Sequence, residues 1–310
     1  MKTGRSHPSL ALDRYRDQIN LAKRYNPVSH NISSEKERNE ILDFLLHTLI
    51  CDEALSDIEK IPEDHKQKRQ LLRALLNIRL PGPISENFIL NIDKLLQKEL
   101  GKKDLTDCNE LSRVSEMFPN NNFHHSNIFF LWKGDITCLR AGAIVNAAND
   151  RMLGCFQPLH NCIDNVIHSA AGPLLREDCK TIMDIQGTKE QTGDAKITRA
   201  YNLPSGYVLH TVGPIVTDKE VPEFQQKQLA SCYKSCLSLA ARVKEIKSIA
   251  FPCISTGVFN FPQSLAAEIA VRAVDEWLEN NIHHFTHIIF NVFLEEDFSC
   301  YARVFRRSDN

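Results

Sequence analysis

The stretch from Ser248 to Glu279, SIAFPCISTGVFNFPQSLAAEIAVRAVDEWLE, decides the fold of this chain. It begins with a short apolar run, Ser248–Pro252, which is typical of a buried strand. A loop of small and hydroxyl-bearing residues follows, and Pro262 then takes the first helical position, which proline favours. From Pro262 to Glu279 apolar residues recur three and four apart, as on the buried face of a helix. The stretch therefore predicts a strand, a loop and a helix in succession.

The same alternation continues on both sides of this unit. Apolar runs predict further strands at Ile128–Trp132, Ala143–Val145, Tyr207–Thr211 and His287–Val292. Helical patterns lie between them at Ile163–Leu175 and Glu223–Val243. The order predicts the α/β fold class, with three α/β/α layers and a mixed, largely parallel sheet between helices. In open sheets of this kind, ligands bind at the carboxyl ends of the strands.

The first part of the chain has a different pattern and predicts helices. Apolar periodicity covers Ile41–Ile50, Asp64–Ile78 and Phe88–Leu100, and Ser33 and Ser34 precede Glu35 as candidate caps. A polar stretch from Pro119 to Ser126 then separates this half from the strands. We therefore predict a helical N-terminal extension over 1–118 and an α/β domain over 119–310. The helical half shows no motif that indicates chemistry.

Composition and charge limit the classes of function. The 310 residues are 43% hydrophobic and 25% charged, with a net charge of −2. A near-neutral chain without a basic block is a poor duplex-DNA binder, so we expect no nucleic-acid partner. No apolar run approaches the about 18 residues of a membrane span, and the N-terminus lacks the apolar segment of a secretory signal. We expect a cytoplasmic protein without membrane contact, and a nuclear location stays open.

A cluster of metal-binding side chains stands out among the ten cysteines. Disulfides are rare in intracellular chains, so clustered cysteines favour metal or redox chemistry. Cys155, His160 and Cys162 fall within eight residues and form a ligand set that zinc favours. Three ligands leave a fourth position for water or substrate. Alternatively the cluster holds no metal, or a distant residue such as Cys179 or His168 closes a structural site.

Two short motifs follow predicted strands. Gly134-Asp135-Ile136-Thr137 places a carboxylate where it can accept a hydrogen bond from an amine such as that of adenine, although an ordinary aspartate turn explains the same pattern. Ile144 to Asn149, IVNAAN, brings two amides to a strand end, and amides suit sugar hydroxyls. Each motif alone is also compatible with a simple turn.

The loop Pro252–Pro262 predicts an anion site. Backbone N–H groups in such a loop, beside a helix N-terminus, suit a diphosphate, and Phe259 is placed to pack against a ribose. No lysine follows the glycine, so the loop is not a P-loop, and the chain has no GxGxxG motif.

Taken in order, the motifs resemble the macrodomain family over roughly Phe129 to Val304. They are GDIT, VNAAN, IDNVIH, LHTVGP and STGVF. The segment GCFQPLHNCIDNVIH, from Gly154 to His168, is similar to that of the zinc-containing macrodomains, which are protein-ADP-ribose hydrolases of the MacroD type. RALLNIR, from Arg73 to Arg79, is similar to their helical N-terminal extension.

The resemblance implies a role for individual residues. Adenine would contact Asp135 and the backbone of Ile136, and the distal ribose would contact Asn149. The diphosphate loop falls on Ser255, Thr256, Gly257, Val258 and Phe259. Zinc would be held by Cys155, His160 and Cys162, and the loop Cys162–Ile163–Asp164 would lie against the ligand. Asp164 aligns with the aspartate of hydrolytic relatives without zinc, although a capping role is an alternative. Asn260, Ala200 and Asp194 depart from the usual family residues.

The resemblance also implies a function. We expect a zinc-dependent hydrolase that removes mono-ADP-ribose from Asp or Glu esters of modified proteins, with Asp164 and Asn149 as catalytic residues. Zinc would either lower the pKa of bound water or orient the ribose hydroxyls, and its place beside the ribose favours the second. A functional link to a sirtuin-like ADP-ribosyltransferase is expected. The alternatives are a reader that binds ADP-ribose without hydrolysis, and an O-acetyl-ADP-ribose deacetylase.

Overall fold

The first half of the chain is helical, as predicted. The structure, a computed structural model, describes residues 9–28, 32, 34–51, 60–218 and 220–306. Within them lie α1 (Glu35–Ile50), α2 (His65–Ile78) and α3 (Glu86–Leu100). Each begins at a residue whose side chain accepts a backbone N–H of the first turn, namely Ser34, Asp64 and Ser85. The candidate cap Ser33 lies outside the described residues.

These three helices pack around a core of their own. Leucines on one face of each helix, among them Leu45, Leu72 and Leu95, are completely buried and contact one another. Burial of such side chains stabilises by about 1.5–3 kcal/mol each, so this apolar cluster accounts for the packing of the helices.

The second half contains one six-stranded sheet. Its strands are β2 (Phe129–Lys133), β4 (Ala143–Ala148), β5 (Ala195–Arg199), β6 (Tyr207–Val212), β7 (Ser248–Phe251) and β8 (His287–Val292). Their order is β2-β8-β7-β4-β6-β5, and every neighbouring pair is parallel except β5 with β6. A separate two-residue pair joins β1 (Thr106–Asp107) to β3 (Leu139–Arg140). The predicted mixed, largely parallel sheet is confirmed.

Alternation along the strands creates the three layers. In β2, Phe129 and Leu131 enter one buried cluster, whereas Phe130 enters the other, because successive side chains point to opposite faces. The first cluster is closed by α7 (Glu223–Ala240), α8 (Gln263–Asn280) and α9 (Glu295–Arg306). The second is closed by α5 (Ile163–Ala171) and α6 (Pro173–Gln186). A single turn, α4 (Val114–Met117), precedes the sheet.

Several predicted boundaries were wrong. Pro262 is the N-cap of α8 and not its first residue, because its ψ of 122° is extended. The predicted helix Ile163–Leu175 is two helices, since Gly172 has φ +88° and ends α5 before α6 starts at Pro173. Strand β5 and helix α9 had no counterpart in the predicted pattern.

The segment 12–21, near the N-terminus, packs against the α/β domain. Leu12, Tyr15 and Ile19 are buried in the same cluster as α7. The Tyr15 hydroxyl accepts the Ile197 N–H of β5 at 3.0 Å. The boundary between 118 and 119 stays a prediction, and residues 12–21 pack with the C-terminal side of it. Within the described part of the chain, no helix is both long and apolar enough to cross a membrane.

Candidate active site

The predicted site loops meet at one edge of the sheet. They follow β2, β4 and β7, which run parallel, so their carboxyl ends face the same way. The Gly134 N–H donates to the Val292 carbonyl at 2.9 Å, and the Asn291 amide donates to the Gly134 carbonyl at 2.9 Å. The loop after β2 is thereby fixed to the end of β8.

Asp135 lies in that loop with part of its carboxylate accessible. Its Oδ1 accepts the Thr137 backbone N–H at 2.9 Å and the Thr137 hydroxyl at 2.7 Å. Its Oδ2 lies 3.6 Å from Cys138 Sγ and 3.7 Å from Lys103 Nζ, and the side chain is 40% exposed. Ile136 is buried, so its side chain is not available to a ligand. Oδ2 can therefore accept a hydrogen bond from a ligand amine.

The loop after β7 presents backbone N–H groups. Ser255 and Asn260 have φ of +66° and +55°, and the Phe261 N–H donates to the Ser255 carbonyl at 2.9 Å, which closes the loop. Among the described residues, nothing accepts the N–H groups of Gly257 and Val258, and both residues are exposed. Consecutive unpaired N–H groups can bind an anion, which is the role that the sequence analysis predicts for this loop.

A glycine of the loop after β6 supports this loop. A Cβ on Gly213 would lie 2.0 Å from Ser255 Oγ, which is closer than real carbon atoms approach. The Val216 N–H also donates to the Phe259 carbonyl at 2.9 Å. The anion loop thus rests directly on the segment LHTVGP.

Asp164 is the buried carboxylate of the site. It is the second residue of α5 and is 5% exposed. Its Oδ1 accepts the Asn146 amide at 2.8 Å and its Oδ2 accepts the Asn149 amide at 3.3 Å. Burial raises the pKa of Asp164 to about 6, against the two amides and Arg176, which lower it. Two asparagines of one strand end therefore hold a single carboxylate.

Asn149 is engaged mainly within the protein. Its Nδ2 also donates to the Gly154 carbonyl at 3.0 Å, and its Oδ1 accepts the Arg151 N–H at 3.0 Å. One Oδ1 lone pair remains for a ligand hydroxyl. Asn149 consequently links Asp164 to Gly154, the residue before the first cysteine of the cluster.

The structure brings Cys155, His160 and Cys162 together. Their donor atoms all lie within 4.8 Å of one another, and Cys155 Sγ is 3.7 Å from His160 Nδ1. Tetrahedral zinc, with bonds of about 2.0–2.3 Å, separates its donors by about 3.3–3.8 Å, a range that includes the distance between Cys155 Sγ and His160 Nδ1, and two thiols with an imidazole are a donor set that suits this ion. Cys162 also caps α5 by accepting the Asn165 N–H at 3.5 Å, and burial raises the pKa of its thiol to about 11.

The two residues considered as distant fourth ligands lie elsewhere. His168 and Cys179 belong to a second, fully buried group together with His210. In the described residues, the first group therefore has three members, so a tetrahedral ion held there would keep one position for water or substrate.

Below Asp164 lies a buried histidine that the sequence analysis did not single out. His210 Nδ1 is 3.2 Å from the Asn146 amide nitrogen, and its Nε2 is 3.0 Å from Thr198 Oγ1. Because the amide nitrogen only donates, Nδ1 is the acceptor and the proton is assigned to Nε2. Burial lowers the pKa of His210 to about 3, so the ring is neutral. The signal for this arrangement was a polar residue at an inward strand position in both β4 and β6.

Exposed apolar side chains surround the same edge. They are Ile215, Val258, Phe293 and Leu294, each more than half exposed. Phe293 follows β8 directly and was not predicted to belong to the site. Large apolar groups left in water beside a polar cleft are typical of a ligand-binding surface.

Fold and site together define an open-sheet α/β protein with a candidate ligand site at the strand ends and three potential metal ligands on the same side of the molecule. The Macro domain family matches residues 145–270. The chain is 41% identical over 276 residues to "Protein-ADP-ribose hydrolase" of Staphylococcus aureus (strain MRSA252), covering 89% of this chain and 98% of that protein. It is 44% identical over 271 residues to the protein of the same name from Treponema medium, covering 87% and 99%.

Solved structures agree with this relation. The Trypanosoma brucei macrodomain in complex with ADP-ribose is 29% identical, with a TM-score of 0.55 over 78% of this chain and 96% of that one. The Oceanobacillus iheyensis macrodomain with ADP is 37% identical, with a TM-score of 0.50 over 57% and 88%. The chain belongs to the macrodomain family, and the predicted fold and family are confirmed.

Proposed function

We propose that this chain is a zinc-dependent hydrolase that removes mono-ADP-ribose from modified proteins. The prediction of a protein-ADP-ribose hydrolase is confirmed at that level, because relatives with this name match almost the whole chain. The dependence on zinc is a finer proposal that rests on the site, and the ester linkage to Asp or Glu is a finer proposal that rests on the family resemblance.

The cleft offers a partner to each part of ADP-ribose. Asp135 Oδ2 would accept the adenine amine beside the Ile136 backbone. The unpaired N–H groups of Gly257 and Val258, in the loop Ser255–Phe259 that also contains Thr256, would bind the diphosphate. Asn149 would direct its remaining Oδ1 lone pair to the distal ribose, next to the cluster.

The observation that carries the proposal is the position of Asp164. It lies two residues after Cys162, and both of its oxygens accept amide hydrogen bonds, so its orientation is set before substrate arrives. From there Asp164 would orient the attacking water and accept its proton, a role worth about 10²–10⁴ in rate. When bound by Cys155, His160 and Cys162, zinc would supply a positive charge that orients the ribose hydroxyls.

A reader module and an O-acetyl-ADP-ribose deacetylase would use the same cleft. A reader needs neither a metal cluster nor a buried, oriented carboxylate, so the hydrolase is favoured. A deacetylase would act on the same ester in a small molecule. A sirtuin-like ADP-ribosyltransferase as functional partner and a cytoplasmic location stay predictions.

Release of ADP-ribose from an auto-modified protein tests the proposal. Wild type, wild type treated with a chelator, and the Cys155→Ala/Cys162→Ala double variant are compared, with O-acetyl-ADP-ribose as a second substrate. We expect release by untreated wild type and at least a tenfold loss in the other two samples. Binding of ADP-ribose without release by any sample would identify a reader, and turnover of the small ester alone would identify a deacetylase.

A further inference from the structure

The helical domain contacts the loop that carries the metal ligands through α2. Asn77, near the end of α2, is 2% exposed. Its Oδ1 accepts the Leu159 N–H at 3.1 Å, and its Nδ2 donates to Ser169 Oγ at 3.1 Å. One buried amide therefore joins α2 to the ligand loop (Cys155–Cys162) and to α5.

Arg73 makes a second connection one turn earlier. Its guanidinium donates to Asn165 Oδ1 at 3.0 Å and lies 3.4 Å from the carbonyl oxygen of His160. Asn165 in turn donates its amide to the Gln157 carbonyl at 3.0 Å. Arg73 thus contacts a metal ligand directly and the middle of the ligand loop through one side chain.

Arg176 of α6 connects the end of α2 to the start of the ligand loop. It donates to the Leu76 carbonyl at 2.8 Å and to the Arg79 carbonyl at 2.6 Å. Its guanidinium carbon also lies 4.7 Å from the centre of the Phe156 ring, a cation–π distance. Phe156 is the neighbour of Cys155, so Arg176 connects the start of the ligand loop to the end of α2.

The ligand loop needs such support because its own backbone supplies little. Leu159 has φ +56°, a conformation that costs a residue with a Cβ about 1–2 kcal/mol. The backbone hydrogen bond described within the loop runs from the His160 N–H to the Gln157 carbonyl, at 3.3 Å. An irregular loop held this weakly samples many conformations unless outside groups select one.

We infer that Arg73 and Asn77 are positioning residues for the metal ligands, and that the helical domain completes the metal site. The inference rests on the proposed zinc function and extends it to a part of the chain for which the sequence indicated no role. Neither side chain would coordinate the ion. Each side chain contacts the loop backbone at His160 or at its neighbour Leu159. Loss of either contact therefore lowers the affinity for zinc without removing a ligand.

Zinc affinity tests this inference, measured in the full chain by competition with a chromophoric chelator. Arg73→Met and Asn77→Ala are expected to bind zinc 10- to 100-fold more weakly, the usual effect of removing groups that orient ligands. Arg69→Met is the matched control, since Arg69 lies one turn away on α2 and pairs with Glu99 at 2.7 Å inside the helical domain. Arg73→Lys keeps a donor and is expected to recover part of the affinity.

Hydrogen exchange of the Leu159 amide gives a second measurement that does not depend on zinc. In Asn77→Ala this amide is expected to exchange at least tenfold faster, while thermal unfolding shows that the variant is folded. Zinc affinities equal to wild type in both variants would overturn the inference. If wild type binds no zinc, the proposed zinc requirement fails, and unchanged exchange at Leu159 would then reject the role of α2 as well.

Discussion

Replacement of Asn146 by alanine separates the orientation of the carboxylate from the binding of ADP-ribose. Asn146 is completely buried, and its amide donates to Asp164 Oδ1 at 2.8 Å. The His210 ring fixes the direction of that amide from the other side. In Asn146→Ala the carboxylate loses its shorter hydrogen bond and keeps the one to Asn149, at 3.3 Å.

The size of the effect follows from the kind of hydrogen bond. A buried hydrogen bond to a charged group contributes about 1.5–3 kcal/mol. Since about 1.4 kcal/mol corresponds to a tenfold change in rate, turnover should fall about 10- to 150-fold. ADP-ribose affinity should change less than threefold, because the diphosphate and adenine contacts lie on other loops.

Single-turnover release of ADP-ribose and calorimetric binding of ADP-ribose measure the two effects. Asn202→Ala is the matched control, since its buried amide donates to the Asp93 carboxylate at 2.7 Å in the interface with the helical domain. Both variants should lose stability, and only Asn146→Ala should lose turnover. Equal turnover in the two variants, or a parallel loss of affinity and rate in Asn146→Ala, would refute the reasoning.

Three further perturbations have definite outcomes. Asp164→Ala should lower turnover about 10²–10⁴-fold while ADP-ribose binding persists, as measured by the same two assays. Gly213→Ala should weaken ADP-ribose binding about tenfold or more, because its Cβ would displace the Ser255 hydroxyl, whereas Gly82→Ala, away from the site and with nothing within 4 Å of its Cβ, should stay within twofold. Acidification should destabilise the protein through His210, whose folded pKa of about 3 lies below the unfolded value of 6.5. Between these values the unfolded chain binds a proton that the folded chain does not, so the free energy of unfolding falls as pH falls, by about 2 kcal/mol at pH 5 for this group. In urea unfolding, the free energy of unfolding of His210→Gln should fall less between pH 7 and pH 5 than that of wild type.

Each of these outcomes has a clear opposite. Loss of binding together with turnover in Asp164→Ala would mean that the carboxylate supports the cleft and not the reaction. Equal affinity in the two glycine variants would show that the loop after β7 adapts freely. If the free energy of unfolding of His210→Gln depends on pH as that of wild type does, other groups cause the acid sensitivity.

Local patterns were sufficient to predict most of the elements. Ser34 and Ser85 begin α1 and α3 because their side chains cap the first turns, a short-range interaction that a sequence reveals. The strand β5 was not recognised, because Lys196 interrupts its apolar run. That lysine is buried and pairs with Glu190, which is also buried, and a partner of this kind is visible only in three dimensions.

The site was predictable to the same extent. The three candidate metal ligands lie within eight residues, so their proximity is a local property, and the family motifs indicate the loops of the candidate site. The contacts of Arg73 and Asn77 join residues more than eighty positions apart, so no local pattern indicates them. The pairing of His210 with Asn146 was missed for the same reason.

The position of Tyr15 bears on how this protein can be produced. β5 is the last strand of the sheet, and its unpaired N–H and carbonyl groups would form a template on which another chain can add. The hydroxyl of Tyr15 occupies one such group, Ile197 N–H, and the buried Leu12 and Ile19 anchor the segment that carries it. A recombinant version that starts at residue 119, the predicted beginning of the α/β domain, would expose this edge, and we expect it to form oligomers where the full chain stays monodisperse in size-exclusion chromatography. Retention of residues 9–25 is therefore a practical requirement for handling the catalytic domain.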